Sequence, residues 1–181
     1  MKVLTAVDVA TTGKISDFHE LIGIKCCMFN IVDWKVISEF SLKVRPICPS
    51  RIDPEALEIN GLHEWEGFPK RAVAKGIFIN WLQSINYLAY PISHDWSFDR
   101  PFLERFLGQE TFALYFGEPP NPHCTKSMMN ALMLAGKVKT FYPSLENCCD
   151  HFDIPHDPKN SEGDLSSTLL LFKKILEIIK E

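Results

Sequence analysis

Three β-type runs come before any helical period, and that order restricts the chain to architectures that open on a sheet. Val3 to Val7 is short and apolar and leads into Asp8. Glu20 to Phe29 mixes β-branched and aromatic residues, and Val36 to Val44 alternates apolar with polar side chains, as strands do. Asp33-Trp34-Lys35 supplies a hairpin connection between the last two runs, so the three predict a meander. Arg45-Pro46-Ile47-Cys48-Pro49 ends it, because proline lacks the N–H that a central strand donates.

From Asp53 the period changes. Asp53-Pro54-Glu55-Ala56-Leu57 pairs an N-cap residue with proline at the first helical position. Helical patterns cover Pro69 to Ser84, Ser97 onward, Thr125 to Leu134, Ser144 to Phe152 and Glu162 to Ile179. Tyr87 to Ile92 returns to strand, and Phe98, Phe102, Leu103 and Phe106 fall on one helical face. Gly117 to Pro122 reads as a loop. Strands first, then strands alternating with helices, predict an α/β fold: a mixed sheet flanked by helices. No linker or repeat divides residues 1–181, so one domain is expected.

Charge narrows the partners. The formal net charge is −4 and no basic run forms a tail, so a phosphate polymer would need metal ions or a local patch to bind. The six cysteines, Cys26-Cys27, Cys48, Cys124 and Cys148-Cys149, form no CxxC. They read as buried or edge thiols in a reducing compartment rather than as zinc ligands. The apolar run before Asp8 is too short for a signal peptide and no stretch spans a bilayer. A cytoplasmic protein without a membrane is the expectation.

Three acids each stand near the end of an element. Asp8 closes an apolar strand and is followed by Thr11-Thr12-Gly13, which turns tightly and offers hydroxyls and amides to a ligand. A strand capped by a turn accounts for it equally well. Asp99 follows His94-Asp95-Trp96-Ser97-Phe98 in the first turns of a helix, and Asp164 opens the last helix within Ser161-Glu162-Gly163-Asp164. Each has an ordinary explanation as a helix-start acid. Together, on an α/β scaffold, they suit Mg²⁺ or Mn²⁺, and a metal pair ~3.5–4 Å apart stabilises both the attacking and leaving oxygens of a phosphodiester.

In this order the motifs resemble those of the DnaQ-like, or DEDD, superfamily of 3′→5′ exonucleases, on a ribonuclease-H-like fold. Asp8-Val9-Ala10-Thr11-Thr12-Gly13 is similar to the first motif, Asp-x-Glu-Thr-Thr-Gly. His94 to Asp99 resembles the second, His-Asn-x-x-Phe-Asp, and Ser144 to Ile154 with Ser161 to Asp164 resembles the third in its Trex-like form. Ile52 to Ala56 through Ile59-Asn60-Gly61-Leu62 is similar to the segment beside the substrate's 3′ end. The resemblance implies two Mg²⁺ or Mn²⁺ ions, with Asp8 bridging them, Asp164 at the first and Asp99 at the second. It implies single-stranded DNA or RNA 3′ ends as substrate, held by Thr11, Thr12, Gly13, Asn60 and Leu62. Trp96 is either a base-stacking residue or a core aromatic.

Two positions depart from that pattern. Ala10 replaces the second acid and cannot bind a metal; an engineered knockout, a natural loss and entry of another acid all account for it. Lys159 stands where the histidine subclass has its general base, and Asn160 where the tyrosine subclass has tyrosine. A lysine of ordinary pKa ~10.4 is protonated and accepts no proton from water, so Lys159 also reads as a solvated loop residue. His156, on the same loop but at a different spacing, is the substitute candidate. The expected activity is a metal-dependent exonuclease impaired at these two positions; the alternative is an inactive nuclease-like module that binds nucleic-acid ends or a protein.

Overall fold

The structure, a computed structural model, describes residues 3–60, 64–85, 89–117, 122–156 and 161–180, with the side chains of 161–164 outside that description. Strands β1 (Val3–Thr11), β2 (Leu21–Asn30) and β3 (Val36–Lys43) form the meander. Two short strands, β4 (Pro91–Ser93) and β5 (His123–Cys124), complete a five-stranded sheet in the order β3-β2-β1-β4-β5. The β1–β2 and β2–β3 pairs are antiparallel, whereas β1–β4 and β4–β5 are parallel. The described helices are α1 (Pro54–Asn60), α2 (Arg71–Ser84), α3 (Trp96–Leu107), α4 (Gln109–Phe116), α5 (Thr125–Leu134), α6 (Leu145–His151) and α7 (Ser161–Lys180).

Helices cover both faces of the sheet, which is why central β1 is apolar almost throughout. On one face Val7, Val9, Ile24 and Met28 pack against Phe78 and Leu82 of α2, Phe102, Leu103 and Phe106 of α3, and Phe112 of α4. On the other, Leu4, Ala6, Cys27 and Phe29 meet Phe172 of α7. Met129 and Leu132 of α5 and Cys148 of α6 then pack with Leu171 and Ile175 of α7. None of the six cysteines forms a disulfide, and four of them are buried. Among the described residues, no helix is long and apolar enough to cross a membrane.

Four features differ from the sequence expectation. Asp8 lies inside β1, because the ladder with β2 continues through Val9–Ile24 and Ala10–Gly23 to Thr11–Leu21. On its other side β1 pairs with β4 only at Thr5 and Ala6, so Asp8 lies just past that parallel ladder. The helical run after Ser97 is two helices, separated at Gly108, whose φ of 82° leaves the helical region. The strand expected over Tyr87–Ile92 is a three-residue strand from Pro91, with residues 86–88 outside the description. Strand β5 has two residues, too few for a periodic signal.

Candidate active site

Where β4 stops and β1 continues, the sheet leaves a cleft of about 470 Å³. Asp8, Thr11 and Gly13 line it from β1 and the turn beyond, Ile59 and Asn60 from α1, Asp95 and Phe98 from the N-cap and first turn of α3, and Tyr142 from the loop before α6. Local hydrogen bonds hold these walls. Asn60 donates to the Thr11 carbonyl at 3.0 Å, tying α1 to the end of β1. The Asp53 amide donates to the Thr12 carbonyl at 2.8 Å. A side chain at Gly13 would bring its Cβ within 2.4 Å of the His19 ring, so glycine lets the ring close over the turn without shifting.

Asp99 stands behind the cleft in the first turn of α3, only 5% exposed, and accepts a hydrogen bond from Ser93 Oγ at the end of β4. Burial pushes its carboxyl well above the ordinary carboxylate range, and the nearby charge of Asp8 pushes it further, against the Ser93 hydrogen bond. Two carboxylates that repel one another at the edge of a dry core are a donor set that a hard divalent cation satisfies. Asp8 and Asp99 therefore fit one end of a metal site. Among the described residues no group of three His, Cys, Asp or Glu side chains converges for a metal, and the side chain of Asp164 lies outside the description. Its backbone is in the first turn of α7.

His94 and Asp95 brace the second motif. Burial, foremost, lowers the His94 pKa to about 4, so the ring is neutral near pH ~7. Its Nε2 lies 3.0 Å from the Pro143 carbonyl, which can only accept, so Nε2 carries the proton and Nδ1 accepts from Thr125 Oγ1 at 2.9 Å. His94 thereby fixes the loop that carries Tyr142. Asp95 is held below the ordinary carboxylate range: burial opposes its charge, but hydrogen bonds from Lys126 and Ser97 outweigh that cost. Lys126 also stands 5.8 Å from the Tyr142 ring centre.

The other expected site residues divide. Thr11 reaches the cleft, but its hydroxyl donates to the Gly13 carbonyl at 2.8 Å. Thr12 is turned away: its hydroxyl accepts from the Glu20 amide at 2.8 Å, and it lines a small cavity with Ile22 and Leu57. Trp96 belongs to the core, 6% exposed and stacked on Phe112 at 6.3 Å between centroids, which leaves no face for a base. His156 is half-buried and near enough to His94 to affect its charge, but it does not line the cleft. Leu62, Lys159 and Asn160 lie outside the described residues. Sequence reasoning missed Lys14, Phe98 and Tyr142 as cleft residues; an exposed tyrosine just before the Pro143-Ser144 helix start was the available signal.

No protein-family model and no curated protein sequence matches the chain. Solved structures do. A product-bound exonuclease I superposes with a TM-score of 0.80 at 13% identity, over 98% of this chain and 43% of that one. The chain has the DnaQ-like, ribonuclease-H-like fold. Cell-death related nuclease 4 follows with a TM-score of 0.74 at 12% identity, over 97% of this chain and 64% of that one. A zinc-bound complex of E. coli exonuclease I with single-stranded DNA gives 0.78 at 13% identity, over 96% and 41%. The chain thus spans less than half the length of the exonuclease I structures. The DnaQ-like sheet accounts for the Asp8–Asp99 geometry, since it brings the end of β4 and the start of α3 against the middle of β1.

Proposed function

We propose that the chain is a slow, divalent-cation-dependent 3′→5′ exonuclease acting on single-stranded nucleic acid. The observation that carries this reading is the pairing of Asp8 with buried Asp99 at an open cleft, on a fold shared with nucleases. Asp8 and Asp99, with Asp164, would hold Mg²⁺ or Mn²⁺, which supplies Lewis-acid polarisation of the phosphoryl group and activation of water. The chain's own residues do the rest. Asn60 and Ile59 form one wall for the terminal nucleotide, Phe98 and Tyr142 offer aromatic surface to bases, and Lys14 at the rim offers a charge to the backbone. Ala10 contributes no ligand, and a protonated Lys159 contributes no base; both make the reaction slow.

A second reading follows from Ala10: a module that holds 3′ ends without cleaving them. Digestion of 5′-labelled DNA and RNA oligonucleotides in Mg²⁺ and in Mn²⁺ separates the two. The nuclease reading expects progressive shortening of linear strands, none with chelator, and no cutting of closed circles. Binding to 3′ ends with no shortening in either metal would establish the second reading instead.

A further inference from the structure

Lys25 is the cross-strand partner of Asp8 in the β1–β2 ladder. Directly opposed residues present their side chains on the same face, with Cβ atoms ~4.5–5.5 Å apart. Cys27 and Phe29, two and four residues further along β2, pack with Leu4, Ala6 and Phe172. By alternation, Lys25 and Asp8 both face the α7 side of the sheet. Asp8, Lys25 and Lys43 share a cavity of about 20 Å³ at Ala10 and its partner Gly23. Beside it, a groove of about 500 Å³ runs from Lys25 to Leu165 and Ser166 in α7. Lys25 therefore stands between Asp8, Ala10 and the first turns of α7. Around Ala10 the walls carry two ammonium groups and one carboxylate.

On the nuclease reading, this is the side where Asp8, an acid at position 10 and the opening of α7 would hold the first of two cations. The residues present do not fit that ion: the acid is missing and a fixed positive charge stands in its neighbourhood. We propose that the Lys25 ammonium takes the place of one divalent cation, leaving a site for a single cation on the Asp8–Asp99 side. An ammonium beside the phosphoryl oxygens offsets developing negative charge as a point charge. It does not acidify a water as a second cation does, which gives a physical reason for slow hydrolysis. The catalytic consequence rests on the nuclease reading; the number of cations bound does not.

The test is calorimetric titration of Mn²⁺ into the full chain without nucleic acid, repeated on Ala10→Glu, Lys25→Met, Lys25→Arg and the Ala10→Glu/Lys25→Met double variant. One cation is expected for the unchanged chain and for Ala10→Glu, where the new carboxylate pairs with Lys25, and two for the double variant. Lys25→Met alone is expected to bind its single cation about tenfold more tightly, through lost repulsion, while hydrolysis falls; Lys25→Arg changes neither. Two cations on the unchanged chain or on Ala10→Glu would overturn the proposal. So would a double variant that melts cooperatively but binds one, or Lys25→Met and Lys25→Arg behaving alike. Absence of hydrolysis in every variant counts against the nuclease reading, while the cation counts still decide the role of Lys25.

Discussion

Asp8 stands close enough to Asp99 to oppose its ionisation: burial first, and then the charge on Asp8, hold the Asp99 carboxyl above the ordinary carboxylate range. A group raised in this way stabilises the fold while protonated. Its contribution is full below the unfolded carboxylate pKa of ~3.9 and is lost as pH rises through the folded value. Asp99→Asn removes that loss and keeps an acceptor for Ser93. In chelator at neutral pH the variant should melt higher, by about 2–4 °C for each ~1 kcal/mol gained, and the difference should shrink as pH falls. Mn²⁺ should stabilise the unchanged chain and not the variant. Thermal melts across pH, with and without Mn²⁺, check all three.

His94 titrates in the opposite sense. Its pKa is depressed to about 4 by burial, so its contribution is present above the unfolded value of ~6.5 and is lost as pH falls through the folded one. A depression of this size corresponds to about 3 kcal/mol. His94→Gln should therefore lose part of the acid sensitivity of the unchanged chain. The His94 ring resonance should show a midpoint near 4 by NMR; a midpoint near ~6.5 would mean that the ring is solvated rather than buried between the start of α5 and the Pro143 loop.

Trp96 and Tyr142 should separate in oligonucleotide binding. Trp96→Phe keeps an aromatic ring against Phe112, and gives up part of the indole's buried volume and an N–H for which no hydrogen-bond partner is seen among the described residues. Affinity for a short single-stranded oligonucleotide should be unchanged. Tyr142 is 69% exposed at the cleft, and Tyr142→Ala should weaken binding by about 1–2 kcal/mol if a base stacks there. Fluorescence anisotropy of a labelled strand reads both.

Lys14 lines the cleft and pairs with Glu55 at 3.5 Å, both side chains well exposed. Such a pair adds little to stability. Lys14→Ala should leave the melting temperature within about 1 °C, while the salt dependence of oligonucleotide binding loses about one counterion. A full salt series for both chains measures that slope.

The sheet and most helices were legible because their periods are local. Alternation marked β3, and the spacing of Thr125 to Leu134 gave α5 its observed ends. What the sequence withheld depends on partners. Asp8 reads as the end of a strand, since only the ladder through Gly23 and Leu21 shows that β1 runs on. Trp96 reads as either a core aromatic or a stacking surface, and the packing of Phe112 and Phe116 of α4 against it decides for the core. Lys25 has no motif at all. It matters only because the hairpin register sets it opposite Asp8, a relation 17 residues distant in the chain.

On the proposed function, the Asp8–Asp99 pair makes this cleft a phosphodiesterase. The most direct measurement is a single-turnover time course on a 5′-labelled single strand in Mn²⁺, comparing the unchanged chain with Asp99→Asn at saturating protein. The expected result is a ladder of strands shortened stepwise from the 3′ end, absent for Asp99→Asn although the strand remains bound. Shortening at equal rates by both chains, or a strand fully bound and left intact by both, would contradict it.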